Sequence, residues 1–336
     1  MSQAASRTGI VLRDPLPWPD AVHMVRTAEA SGYEAIFVPE IDAREAVSAL
    51  AGFGAATSRL RVGTGVVTIQ SRTPTLAAMA AATVHDQTGG RFVLGLGAGS
   101  GRGAAGLRTD FADMRPLALT EEYTRIVRGA LAGERVASEA FGLGGFKLGL
   151  SFGGDPGPPD VWLAALGDRM VALAGRAADG ILLNWCTPER VASAKATLAA
   201  AAEAAGRDPA SLTVAVYVRA ALDAEDPEAL GSLRLMTGLY ASYPAYRRQM
   251  AAMGFATESE AAAAAHAAGL VGDVPESLVR ALIVVGGRAE ALERFRAYHE
   301  AGADLVLCYP VLSGGDAPSS LMGTLLAAAP SPSPGG

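Results

Sequence analysis

Short runs of valine, isoleucine, leucine and phenylalanine recur along the chain and alternate with longer alanine-rich stretches. Near-continuous apolar runs of this length suit strands buried on both faces. With crossover helices between them, they predict a parallel sheet built from βαβ units. The pattern predicts eight strands, at 8–13, 34–39, 61–66, 91–97, 160–166, 179–185, 212–220 and 304–309. Helices are predicted at 19–31, 43–57, 74–88, 116–132, 168–178, 188–205 and 288–301. Start signals include Pro19-Asp20, Thr73-Pro74 and Thr187-Pro188-Glu189, and stop glycines stand at Gly32, Gly206 and Gly302. Eight strands with helices between them fit a closed barrel better than an open sheet, so the expected fold is α/β, a (β/α)8 TIM barrel.

Two stretches break the alternation. Residues 134–159 are rich in glycine and in aromatic and apolar residues, as in Phe141-Gly142-Leu143-Gly144-Gly145-Phe146. They precede the fifth strand and predict a hairpin or excursion over the barrel mouth. Residues 222–285 are mostly alanine-rich, with Tyr240, Tyr243 and Tyr246 around Pro244, and predict a helical insertion after the seventh strand. Both would cover the face where barrels keep their active sites. The expected organisation is one barrel domain over 1–312, then a last short helix and a flexible tail of proline, serine and glycine at 313–336.

Half of the residues are hydrophobic and 18% are charged, so the chain can bury a large core. Its 28 Lys and Arg against 34 Asp and Glu leave a formal charge of −6, and no basic block offers itself to phosphates, which argues against a nucleic-acid partner. Cys186 and Cys308 stand far apart and four histidines are present, a set without metal-ligand spacing. No apolar segment of signal type opens the chain, and no 18-residue apolar run free of charge or glycine breaks follows. The expected location is the cytoplasm, with no membrane partner.

In such a barrel the C-terminal ends of the strands face the site. That places Arg13, Asp14, Glu40, Thr64, Gly65, Val66, Gly99, Ser100, Ala165, Leu166, Gly167, Asn184, Trp185, Tyr217, Arg219 and Tyr309 around the mouth. His23, His85, His266 and His299 all fall on predicted helices and no G-x-S-x-G elbow exists, which argues against a histidine-based triad. The cluster Gly95-Leu96-Gly97-Ala98-Gly99-Ser100-Gly101-Arg102-Gly103 invites a dinucleotide reading, and residues 101–106 satisfy G-x-G-x-x-G. It follows the fourth strand, however, and the next acids, Glu121 and Glu122, lie in a predicted helix, so the Rossmann context is missing. The glycines either let the backbone approach a flat ring or a phosphate, or they fit crowded barrel packing.

Further residues change the picture. Arg61-Val62-Gly63-Thr64-Gly65-Val66-Val67, then Arg72-Thr73-Pro74 and the run from Gly89 to Gly99, resemble the luciferase-like (bacterial luciferase superfamily) flavin and deazaflavin oxidoreductases. The runs Val161 to Met170 and Leu173 to Trp185 resemble the branch that uses the deazaflavin coenzyme F420, and Glu300-Ala301-Gly302-Ala303-Asp304 resembles the entry to the last strand. The resemblance implies an eight-stranded barrel, a homodimer, and a non-proline cis peptide at Gly65–Val66 that pushes a backbone bulge behind the cofactor ring. It implies cofactor contacts at Thr64, Gly65, Val66 and Gly99, backbone amides at Ala165, Leu166 and Gly167 for the cofactor's chain and phosphate, and further tail contacts at Asn184 and Trp185. For Trp185 a core indole and for Asn184 a capping amide remain open as alternatives.

Departures from the family also matter. Members near this branch carry tryptophan, histidine and glycine shortly after the fourth strand; here the stretch is Gly103-Ala104-Ala105-Gly106-Leu107-Arg108-Thr109-Asp110-Phe111, and the Ser100 hydroxyl is the acid–base group left there. Where the family often has a histidine or carboxylate after the second strand, this chain has Glu40, either a general acid or base or a carboxylate that orients a ligand or caps a helix. The expected reaction is hydride transfer between coenzyme F420 and a C=C, C=N or carbinol carbon of a moderate-sized organic substrate, with Glu40, Ser100 and Tyr309 as candidate catalytic residues. Arg13, Asp14, Tyr217 and Arg219 are candidates for substrate contact, Arg219 as a carboxylate clamp or as half of a structural ion pair. FMN-dependent monooxygenation is the alternative. A barrel that has lost its cofactor, acting as a cofactor-free enzyme or a binding protein, is a third possibility.

Overall fold

A computed structural model describes residues 7–99, 115–222, 227–312 and 317–330. In chain order the strands are β1 (Arg7–Val11), β2 (Ala35–Val38), β3 (Arg61–Thr64), β4 (Val67–Thr68), β5 (Phe92–Gly97), β6 (Arg135–Ser138), β7 (Leu143–Lys147), β8 (Asp160–Ala164), β9 (Gly180–Asn184), β10 (Thr213–Leu222), β11 (Ile283–Gly286) and β12 (Leu305–Pro310). The helices are α1 (Trp18–Ala30), α2 (Ala46–Ala56), α3 (Pro74–Gln87), α4 (Pro116–Leu131), α5 (Asp168–Ala177), α6 (Pro188–Ala204), α7 (Pro227–Ser242), α8 (Pro244–Ala252), α9 (Ala256–Ala268), α10 (Glu276–Leu282), α11 (Arg288–Glu300) and α12 (Ala317–Ala327). The sheet runs β12-β1-β2-β3-β5-β8-β9, and β10 pairs with both β9 and β12, so eight strands close into the expected (β/α)8 barrel. All eight predicted strands lie in it. The residues form two compact units, one of Ala35–Leu182 with Thr197–Thr213 and one of the remaining described residues.

In the first unit, side-chain volume explains the glycines of the quoted motif. A Cβ at Gly63 would lie 2.5 Å from the Phe37 ring, which stacks on Trp162 at 5.4 Å. A Cβ at Gly95 would collide with the Thr64 carbonyl oxygen, and one at Gly97 would lie 2.5 Å from Val66 Cγ2. Of the glycine cluster, Gly95 and Gly97 thus fit crowded barrel packing, the second of the two sequence readings. Helix α2 starts three residues later than predicted because Glu45 caps it, accepting from the Val47 and Ser48 amides at 3.1 and 2.7 Å.

The excursion at 134–159 forms an antiparallel hairpin, β6 with β7, but it does not lie over the mouth. It runs along α4, where Arg125 donates to the Ala137 carbonyl at 2.7 Å and Phe141 meets Tyr123 edge-on. Its return leg sets Phe152 against His85 and Pro156 against Gly90, just before β5. The chain leaves α4 and re-enters β8 at the N-terminal ends of the strands, which keeps the segment there.

In the second unit the insertion is helical, as expected, with α7 to α10 packed around Leu233, Met250, Leu278 and Val279. Helices α7 and α9 approach closely at Gly238, where a Cβ would lie 3.1 Å from His266 Cβ. The insertion ends in β11, which sequence reading missed; it pairs parallel with the end of β10 on the edge away from β12, with Arg219 opposite Ile283.

Candidate active site

Two constellations stand at the C-terminal ends of strands. In the first unit, β3 ends at Thr64 and the Gly65–Val66 peptide is cis. Gly65 N–H donates to the Val38 carbonyl at 2.8 Å, and Glu40 N–H donates to the Val66 carbonyl at 3.3 Å. Past β4, the Gln70 amide donates to the Ala98 carbonyl, and the Ser71 hydroxyl donates to the Thr68 carbonyl at 2.9 Å. Arg72 is paired with Glu40 at 2.6 Å and with Glu45, and its backbone carbonyl accepts from the Tyr123 hydroxyl at 3.2 Å. Burial opposes the charge of Arg72, but the two carboxylates outweigh it and hold the guanidinium above its usual value. Burial likewise works against ionised Glu45, yet the Ser48 and Val47 bonds and Arg72 bring it down to about 2. Three atoms of this loop, Thr68 Oγ1, Gln70 Oε1 and Arg72 Nε, are buried without a hydrogen-bond partner among the described residues.

In the second unit, Arg219 on β10 is 2% exposed and surrounded by rings. Its guanidinium carbon lies 4.2 Å from the Trp185 ring centroid, 4.7 Å from Tyr309 and 5.0 Å from Tyr240. Nη1 donates to Asn184 Oδ1 at 2.6 Å, and Asn184 Nδ2 donates to the Tyr246 hydroxyl at 3.2 Å. Gln249 Nε2 donates to the Asn184 and Trp185 carbonyls at 2.8 and 2.7 Å. Those bonds hold Trp185 at φ 52°, in the left-handed region that bulky side chains avoid. Burial pushes the Tyr309 hydroxyl up to about 12 against the pull of Arg219, and it raises Tyr217 and Tyr246 as well. At neutral pH these phenols are donors.

A cleft of about 600 Å³ lies elsewhere, among α4, α5 and the start of β8. Its charged lining is self-paired, Arg128 with Asp179, and Asp160 with Arg61 at 2.7 Å. Among the described residues no three His, Cys, Asp or Glu side chains gather as a metal site, and no helix is long and apolar enough to cross a membrane.

A sequence model of the luciferase-like monooxygenase family matches residues 2–305. The chain belongs to that family. Among luciferase-like relatives, a 5,10-methylenetetrahydromethanopterin reductase of Methanolobus tindarius is 30% identical over 219 residues, 64% of this chain and 65% of its own length. A Mycobacterium tuberculosis protein assigned by name to the coenzyme F420-dependent oxidoreductases is 34% identical over 177 residues, 49% of this chain and 51% of its own. The matches thus span from about half to just under two thirds of these relatives' length. Of solved structures, the coenzyme F420-dependent tetrahydromethanopterin reductase of Methanopyrus kandleri superposes with TM-score 0.77 at 20% identity, over 97% of this chain and 98% of that one.

Thr64 is fully buried, and its hydroxyl donates to the Gly95 carbonyl and accepts from the Gly95 amide, both at 2.8 Å, so it joins two strands. Ala165 N–H likewise belongs to the sheet, donating to the Leu182 carbonyl at 3.2 Å, whereas Gly167 starts α5 with no side-chain cap and open space beside its Cα. Glu40 has both oxygens engaged, Oε2 by Arg72 and by the Ala46 amide at 3.2 Å, Oε1 by the Ser71 hydroxyl at 3.4 Å; this is the orienting and capping arrangement. Asp14 is buried and closes a local turn by accepting from Leu16 N–H at 2.9 Å, while Arg13 bonds the Tyr309 hydroxyl. Asn184 and Trp185, expected on the cofactor's tail, contact Arg219 and Gln249. Gly99 has φ 77° after β5, and Ser100 lies outside the described residues, as does 101–111.

Sequence reading missed Arg72 as the partner of Glu40, although Arg72 stood in a quoted motif. It also missed Gln70 and Gln249, for which no local signal exists. His85, His299 and the cysteines are structural: His85 Nε2 meets the Gly157 carbonyl at 2.8 Å, His299 Nδ1 meets the Ala303 carbonyl at 2.9 Å, and burial pushes both free thiols, Cys186 and Cys308, up to about 12.

Proposed function

We propose that this chain is an oxidoreductase that passes hydride between coenzyme F420 and a small organic substrate. The observation that carries the reading is the loop after Gly65–Val66, where Thr68 Oγ1, Gln70 Oε1 and Arg72 Nε are buried without partners among the described residues. Orphaned buried polar atoms are costly, and a flat ring edged with N–H and C=O groups matches this mixed set of donors and an acceptor. The F420 assignment draws on the mycobacterial relative's name and on the reductase name of the archaeal one. When bound, the deazaflavin supplies a ring carbon that gains or releases hydride. In this reading the Gly65–Val66 bulge backs the ring, and the uncapped start of α5 with Gly167 receives an anionic group of the tail. The Glu40–Arg72 pair holds the loop in place.

Titration of the purified protein with F420 and with FMN tests the reading. F420 should bind at least about tenfold more tightly, a difference of about 1.4 kcal/mol. Tighter FMN would favour the second reading, flavin-dependent monooxygenation, which the family description supports. Binding of neither at tens of micromolar would favour a barrel that has lost its cofactor.

A further inference from the structure

Arg219 is a buried cation whose partners do not neutralise it. Among the described residues no carboxylate lies within ion-pair distance of it, whereas Arg72 has Glu40 and Glu45, Arg61 has Asp160, and Arg234 has Glu276. A structural ion pair, the commoner fate of a strand-end arginine, is therefore not what holds it. The rings of Trp185, Tyr309 and Tyr240 stabilise the guanidinium through their π-faces, and Asn184 takes one N–H of Nη1. Nε is buried with no acceptor, and Asn184 is the acceptor found for the whole guanidinium among the described residues. Nε and Nη2 together form the edge that a carboxylate takes with two parallel bonds. Among the described residues this buried charge has no counter-ion, and a bound anion would complete it.

We propose that Arg219 is the receptor for a carboxylate on the organic substrate, so that the chain selects apolar or aromatic carboxylic acids over their neutral counterparts. One planar fork offers two donors on one edge, which fits two carboxylate oxygens, and the surrounding rings fit an apolar body. Asn184 is the positioning residue: its amide is fixed at both ends, by Tyr246 through Nδ2 and by Nη1 through Oδ1, and so it turns the free edge of the guanidinium away from itself. The proposal rests on the oxidoreductase reading for what happens to the substrate, but the binding it asserts needs no cofactor.

The test is thermal unfolding of the full chain, without cofactor, against benzoate and benzamide, a pair alike in shape and unlike in charge. Benzoate at about 10 mM should raise the midpoint with a saturating dose response, and benzamide should leave it where it is. In Arg219→Met the benzoate response should vanish, and in Arg219→Lys, which keeps the charge without the fork, it should weaken by about tenfold in apparent affinity. Equal responses to the two probes in the wild type, no response included, would overturn the proposal, as would a benzoate response that survives in Arg219→Met. If Arg219→Met does not fold, the wild-type pair and the lysine variant still decide. A last arm separates substrate from cofactor tail as the source of the carboxylate: F420 affinity should stay within about threefold of wild type in Arg219→Met, and a loss beyond about tenfold overturns the assignment to substrate. Failure of F420 to bind the wild type would sink the oxidoreductase reading while leaving the benzoate result to stand or fall separately.

Discussion

The Thr64 hydroxyl donates to the carbonyl of Gly95 and accepts from its amide, a pair of hydrogen bonds between strands that a valine of the same shape cannot make. Thr64→Val should therefore lower unfolding free energy by about 1–3 kcal/mol, because it strands two buried backbone groups. Urea titration checks this, and F420 affinity should stay near the wild-type value; a selective loss of F420 with unchanged stability would return Thr64 to the cofactor. Its place at a strand's C-terminal end was legible in the sequence, but its partner was not. Glu40 behaves alike: its position after the second strand was readable, while the pairing with Arg72 depends on a loop 32 residues further on folding back.

Helix α2 shows how much one capping carboxylate does. Glu45 accepts from two amides of the first turn and faces Arg72; against the effect of burial, the Ser48 and Val47 bonds, and then Arg72, bring it down to about 2 from the usual 4.5. A carboxylate with a lowered folded value contributes stability above its unfolded value, and that contribution is lost as pH falls through the folded one. The wild type should thus lose stability between about pH 4.5 and pH 2, and Glu45→Gln should lose less across that window. Urea midpoints at stepped pH measure it, and parallel slopes would remove Glu45 from the account. The two irregular segments differ in how well they were read. Alanine-rich 222–285 is helical because propensity and burial agree there. The hairpin at 134–159 was recognisable from its glycines, but its course along α4 follows from contacts such as Phe141 with Tyr123, which no local pattern announces.

On the surface of α3, Leu76 and Met79 lie one turn apart and are about half exposed. The proposed homodimer would cover apolar residues of this kind, and light scattering after size exclusion should return twice the chain mass. A monomer mass removes the dimer. Alternation of apolar runs with alanine-rich stretches carried the eight barrel strands and the helices between them, since a parallel strand is buried on both faces and its composition says so without knowledge of its neighbours. The Gly65–Val66 peptide is cis as the family resemblance implied, a resemblance carried by contiguous residues. The partners of Glu40, Thr64 and Asn184, and the uncompensated charge of Arg219, were beyond reach. Hydrogen bonds and ion pairs join atoms brought together by folding from residues tens of positions apart, and only their relative placement tells a clamp in the wall from a group awaiting a ligand.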